Sequence, residues 1–166
     1  PGASKEANTV EEILDEGTNY DVDVLKKKDA TKARVVEAMR GSDVVHLATH
    51  GEPEGLFFAG TTGEADATLS MAEVHALELR RTKLVVLSAC DTFKGELRSD
   101  GVVGITRAFV AAGARTLVAS LWKVDDAATL ALMTRFYEAL LQPSTAGDAA
   151  VAMRTAMTSM LADKHA

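Results

Sequence analysis

The sequence has little with which to cross-link itself. It contains one cysteine, Cys90, so an intramolecular disulfide is excluded and a reducing compartment, the cytoplasm, is expected. Basic charge is also scarce. Eighteen lysines and arginines stand against 24 aspartates and glutamates, and a formal net charge of -6 offers no footprint for a phosphate backbone. No nucleic-acid partner is expected. No apolar run approaches the roughly 20 residues of a membrane-spanning helix, and the N-terminus lacks the apolar stretch of a signal peptide, so no membrane partner is expected either. Internal repeats and low-complexity segments are absent. A glycine-rich phosphate loop is missing too: "GTTGEAD", Gly60 to Asp66, has neither the lysine nor the following helix of such sites, which argues against a nucleotide-binding doubly wound domain.

What is present is an apolar chain patterned for one core. At 166 residues and 47% hydrophobic, residues 1–166 are expected to form a single domain. The first residue is Pro1 and not Met, and the chain is expected to be a piece of a longer polypeptide. Helical and strand patterns alternate, the signature of an α/β layer fold. Helices are expected over Glu6 to Glu16, stopping at Gly17, and over Thr31 to Arg40. Others are expected at Met71 to Leu77, at Val102 to Ala112 and, near the end, over Asp126 to Leu141 and Ala146 to Leu161. Tyr20 to Leu25 alternates apolar and acidic residues and predicts a short strand with one polar face. Val44 to Thr49, Leu84 to Ala89 and Thr116 to Leu121 are near-continuous apolar runs, as expected of parallel strands covered on both faces.

In such sheets reactive groups collect beyond the carboxyl ends of the strands. Two of the three runs end in one. The first runs out through "ATHG", which puts His50 at its tip with Gly51 next; the second runs out through "SACD", which puts Cys90 at its tip. On neighbouring parallel strands, roughly 4.8 Å apart, the two groups share an edge, and a thiolate nucleophile needs such an imidazole partner. The plainer possibility is that Cys90 only packs, since free cysteine is among the most buried residue types. His46 precedes His50 by four and points to the same side of its strand. It is either a third member of a His/His/Cys zinc set or a hydrogen-bonded core residue, and the absence of an evident fourth ligand favours the second. His75 and His165 are expected at the surface, and the methionines of the last two helices are expected to pack.

Together, "HLATHG", "LSACDT" and "DGVVGITRAFVAAGARTLVASLWKVDD" resemble the CHAT domain, a caspase-like cysteine peptidase domain often attached to tetratricopeptide repeats. The likeness extends over almost the whole chain. It implies a caspase-like three-layer α/β sandwich with a mostly parallel central sheet. It also implies Cys90 as nucleophile, His50 as its acid/base partner, and the backbone N–H groups of Gly51 and Cys90 as donors to an oxyanion. The substrate implied is a protein or peptide, the partner an attached tetratricopeptide-repeat region, and neither a cofactor nor a metal is called for. In caspase-type enzymes the pocket for the residue before the cleaved bond lies between the nucleophile strand and the next one, which here implies Ser88, Asp91, Trp122 and Asp125. Asp125 has a second available role as N-cap of the helix that follows, and Trp122 a second one as a core anchor.

The family's members usually carry one more strand upstream of "PGA", and this chain is expected to lack that first strand. A sheet completed by another chain, closed up, or left with an open edge beside the Val44 strand is the consequence. Phe93 stands where the family usually has glycine, and a non-catalytic protein-interaction module on the same scaffold is the alternative function.

Overall fold

The computed structural model describes residues 2–52, 55–60, 67–88, 101–120 and 124–163, with the backbone alone for 50–52 and 101–103. The chain divides into two compact units, Leu25–Val124 and a second made of Pro1–Val24 with Asp125–Ala166.

The larger unit is built on a parallel sheet. Its strands are β1 (Val44–Ala48), β5 (Leu84–Ser88) and β6 (Thr116–Ala119), in the order β1-β5-β6. β5 is central, and all five of its residues are buried, which is why its sequence is apolar without alternation. β1 alternates, with Val45 and Leu47 buried at 5% and 7% exposure. These side chains meet Val35 and Met39 of α2 (Lys32–Gly41), Val74 of the one-and-a-half-turn α3 (Met71–His75), and Ile105, Ala108 and Phe109 of α4 (Gly101–Ala111) in one core. The fold is therefore of the α/β class with a parallel central sheet, as the apolar runs predict.

Polar groups fix the points where the chain enters the sheet. Buried Thr82 donates its hydroxyl to the carbonyl of Ser42 at 3.0 Å, and the Lys83 N–H donates to the carbonyl of Asp43 at 2.7 Å. The Asp43 carboxylate lies 3.2 Å from Arg81 and 3.4 Å from Lys83, and these cations, Arg81 first, hold its pKa below the usual carboxylate value.

Between β1 and β5 the chain forms a second sheet that the apolar periodicity does not announce. β2 (His50–Glu52), β3 (Gly55–Phe57) and β4 (Thr68–Ser70) are three residues each and pair antiparallel in sequence order. Leu56 and Leu69, both 1% exposed, anchor it to the core. Ser70 then caps α3 in a reciprocal box with Glu73: the Glu73 N–H donates to the Ser70 hydroxyl, and the Ser70 N–H to the Glu73 carboxylate at 2.8 Å.

The smaller unit contains three helices, α1 (Gly2–Gly17), α5 (Asp126–Leu140) and α6 (Ala149–Asp163). Phe136 and Tyr137, fully buried, meet edge to face with centroids 5.1 Å apart, and Val10 and Leu14 of α1 are buried as well. Ala149, Ala152 and Ala156 form the buried stripe of α6, small enough for its backbone to approach closely. Burial, with the Glu6 carboxylate second, raises the Tyr137 pKa above its ordinary value. α6 starts three residues after the expected Ala146. Ala146 and Gly147 both take positive φ, and the Asp148 carboxylate accepts the N–H groups of Ala150 and Val151, so the cap sets the start.

One expected element is not formed. Tyr20 to Leu25 has no strand pairing, because an alternating pattern makes a strand only where a neighbour offers backbone partners, and the described residues offer none. Among the described residues no strand lies on the outer edge of β1. No helix among them is long and apolar enough to cross a membrane.

Two measurements follow. A Cβ built at Gly55 would lie 2.3 Å from the Leu69 carbonyl oxygen, so Gly55→Ala is expected to lower stability by about 1–3 kcal/mol in urea unfolding; an unchanged midpoint would mean that β3 and β4 are not this close. Glu73 is held at about 2, from its ordinary 4.5, first by the Lys32 ammonium and then by Ser70. A lowered folded-state pKa stabilises the fold above the ordinary value, and that contribution disappears as pH falls from about 4.5 to about 2. The carboxylate is 46% exposed, so water screens the gain. The stability difference between the parent and Glu73→Gln is expected to be small and constant above about pH 5 and to vanish near pH 2. A difference independent of pH would refute the assignment.

Candidate active site

Parallel pairing aligns the carboxyl ends of β1 and β5. Each β1 residue pairs with the residue 40 positions on, from Val44 with Leu84 through His46 with Val86 to Ala48 with Ser88. The two strands therefore end level. His50 follows Ala48 by two residues and Cys90 follows Ser88 by the same two.

Beyond Ala48 the chain leaves the parallel sheet through Thr49 and enters the small antiparallel one. The Thr49 hydroxyl donates to the Phe57 carbonyl, and His50 opens β2 opposite Phe57, with Gly51 opposite Leu56 and Glu52 opposite Gly55. The backbone of His50 and Gly51 is thus held from one side by Ala48 and from the other by β3. The parallel bridge of Thr31 with Ala59, and the Ala59 N–H bonded to the Ala30 carbonyl at 2.9 Å, tie the chain after β3 to the entry of α2.

Ser88 is the described residue nearest in sequence to Cys90. It is 7% exposed, and its hydroxyl has no hydrogen-bond partner among the described residues. A buried hydroxyl left unpaired costs about 1–3 kcal/mol, so this atom is placed where a further polar group is called for. Cys90, Asp91 and Trp122 lie outside the described residues, as do the loop at Phe93 and Gly60–Asp66 from position 61 onward. Of the two roles available to Asp125, the structure shows the cap: its Oδ1 accepts the N–H groups of Ala127 and Ala128, both at 3.0 Å. His46 is half-buried in β1 and has an interaction partner, His75 is exposed at the end of α3, and His165 lies outside the described residues. Among the described residues no group of three or more His, Cys, Asp or Glu is placed to hold a metal ion. Met133 is buried, whereas Met157 is 53% exposed.

The antiparallel sheet that carries His50 is the part of the site that apolar periodicity missed. Three-residue strands are too short to display a period of two. The turn residues Pro53 and Gly55 within "HGEPEGLF" were the available signal, since such residues between apolar or β-forming stretches mark a hairpin.

The curated relatives include tetratricopeptide repeat protein 28 of Mus musculus, 30% identical over 179 residues, and that of Homo sapiens, 29% identical over 180 residues. Each alignment covers 85% of this chain and 7% of the relative, so the chain corresponds to a small part of a much longer protein in both cases. The family model described as the CHAT domain matches residues 1–166, the entire chain. With its parallel sheet, its level strand ends and its His-Gly and Ala-Cys-Asp motifs at those ends, the chain belongs to the CHAT domain family.

Proposed function

We propose that the domain is a cysteine endopeptidase with a Cys90–His50 dyad. The observation that carries this reading is the constant register of β1 against β5, with the imidazole-bearing and thiol-bearing residues each two positions past the last pair, Ala48 with Ser88. Membership of a caspase-like family supports it.

In this mechanism His50 takes the Cys90 proton, and the thiolate attacks the carbonyl carbon of a peptide bond. The C–N bond breaks as the imidazolium returns the proton to the leaving amine, and a thioester remains. Water, deprotonated by His50, then attacks that thioester; the C–S bond breaks, the acid product leaves and the thiol is restored. The negative charge on the carbonyl oxygen in each step is met by the N–H groups of Gly51 and Cys90, and one such donor is worth about 2.7–4 kcal/mol. Glycine at position 51 lets a substrate backbone approach closely. No metal or cofactor enters this chemistry.

Ser88, Asp91 and Trp122 are proposed to border the pocket for the residue before the cleaved bond, whereas the Asp125 carboxylate is taken up by its helix cap. For Ser88 the support is its buried hydroxyl, which has no hydrogen-bond partner among the described residues. The substrate class is a protein or peptide, acted on in the cytoplasm, with an attached tetratricopeptide-repeat region to present or restrain it; the names of the relatives support that association. The acidic balance of the chain argues against nucleic acid as partner.

Alkylation by iodoacetamide tests the dyad without knowledge of the substrate. Within the full-length polypeptide, Cys90 is expected to react at neutral pH at least about tenfold faster in the parent than in His50→Ala, since an imidazole partner lowers the thiol pKa. Equal rates would leave the domain as a non-catalytic interaction module. Once a cleaved protein is found, Cys90→Ala is expected to abolish turnover and His50→Ala to reduce kcat by about 10²–10⁴. Ser88→Ala is expected to leave stability unchanged or raise it by about 1 kcal/mol, because it removes an unpaired buried hydroxyl, while raising KM more than it changes kcat. A loss of stability would mean that the hydroxyl has a structural partner.

A further inference from the structure

On the larger unit an open groove of about 640 Å³ runs along α2, between that helix and the segment of β4 and α3. Lys32, Ala33, Val36 and Arg40 recur on successive turns of α2 and form one wall, while Leu69 and Leu77 form an apolar floor at 1% and 6% exposure. From Lys32 to Arg40 the wall extends for about 12 Å at 1.5 Å per residue, the length of two helical turns.

The two ends of the groove differ in charge. At the first end the Lys32 ammonium bonds Glu73 at 2.9 Å and the Thr68 carbonyl at 3.1 Å, so the one carboxylate among the described residues lining the groove is already neutralised and that β4 carbonyl is occupied. Exposed Lys27 and Lys28 lie on the 3₁₀ turn Lys27–Asp29, just before Thr31, which also lines the groove. At the far end Arg40 is exposed and has no ion-pair partner among the described residues. Residues 26–40 hold six lysines and arginines against two carboxylates, in a chain whose net charge is -6. This is a local reversal of sign, set around an apolar floor.

We propose that this groove is a docking site for an acidic amphipathic helix of about two turns, supplied by a protein partner. Apolar side chains at spacings i, i+3 or i+4, and i+7 lie on Val36 and the exposed Ala33 and Ala76, above the buried Leu69 and Leu77, and flanking carboxylates meet Arg40 at one end and Lys27 and Lys28 at the other. A helix fits where an extended strand does not. A strand needs backbone donors and acceptors along its length, whereas these walls are side chains and the Thr68 carbonyl already accepts from Lys32; a helix satisfies its own backbone and presents a row of anchors. Charge complementarity selects the acidic partner and excludes a basic one. The proposal is independent of the Cys90–His50 chemistry, because it concerns binding at other residues.

Nitrogen-15 chemical-shift titration of the whole chain tests it with two synthetic 14-residue helical peptides, each with leucine at i, i+3, i+4 and i+7. One carries glutamate at the remaining positions and the other lysine. The acidic peptide is expected to saturate, with shifts concentrated in α2, β4 and α3, and the basic peptide is expected not to bind. Arg40→Glu is expected to weaken the acidic peptide roughly tenfold with an unchanged melting temperature, since Arg40 is exposed. Val36→Glu provides a second variant, aimed at the apolar wall, with the same expected direction. Failure of the acidic peptide to saturate, equal binding of the basic one, shifts centred elsewhere, or full affinity in the folded Arg40→Glu protein would each overturn the proposal.

Discussion

Burial of β5 along its whole length is the constraint on which the larger unit depends. Five consecutive residues, Leu84 to Ser88, are removed from water, so their backbone groups need partners, and β1 pairs all five while β6 pairs Leu84 to Leu87 on the other side. Apolar side chains on both faces hold the strand in the sheet, and hydrogen bonding along both edges fixes its register. A slip of one residue would exchange the two faces of β1 and bring half-buried His46 to the position of buried Val45 or Leu47. The same forces that bury apolar surface therefore also fix where β1 and β5 end.

The carboxyl edge of the sheet is where that order is put to use. β1 stops at Ala48 because Thr49 turns the chain toward β3, and the Thr49 hydroxyl closes the turn on the Phe57 carbonyl. His50 and Gly51 are thereby placed on a short strand with neighbours of its own, not on a free loop. Core leucines at positions 56 and 69 hold that strand group in place, and Gly55 allows β3 to lie against β4 where any Cβ would collide with the Leu69 carbonyl. The backbone of His50 and Gly51 is thus ordered by pairing with β3 and by leucines packed into the core.

Charge is distributed with the same economy. Asp43 and Glu73, two carboxylates with lowered pKa values, each sit at a junction: Asp43 where β1 and β5 begin, Glu73 where β4 passes into α3. Each is bonded to a cation from a segment distant in sequence, Arg81 and Lys32 respectively, so the pairs close loops as well as neutralising charge. Among the described residues, what is left without an ion-pair partner along α2 is the basic end of the groove at Arg40.

By itself the sequence determined the α/β class, the three apolar strands, the helices, with Asp125 offered as a cap, and the two motifs His50-Gly51 and Ala89-Cys90-Asp91. These are local properties: near-continuous hydrophobicity, a period of 3.6, and a capping residue beside a helical pattern. Tertiary structure decided the rest. Tyr20 to Leu25 has the alternation of a strand yet forms none, since a strand requires a pairing edge that no local pattern can guarantee. β2, β3 and β4 have almost no pattern and do form, since the antiparallel neighbours and the buried Leu56 and Leu69 supply what three residues cannot. The level ends of β1 and β5 likewise come from long-range pairing 40 residues apart, because register is a property of two strands together and is written in neither alone.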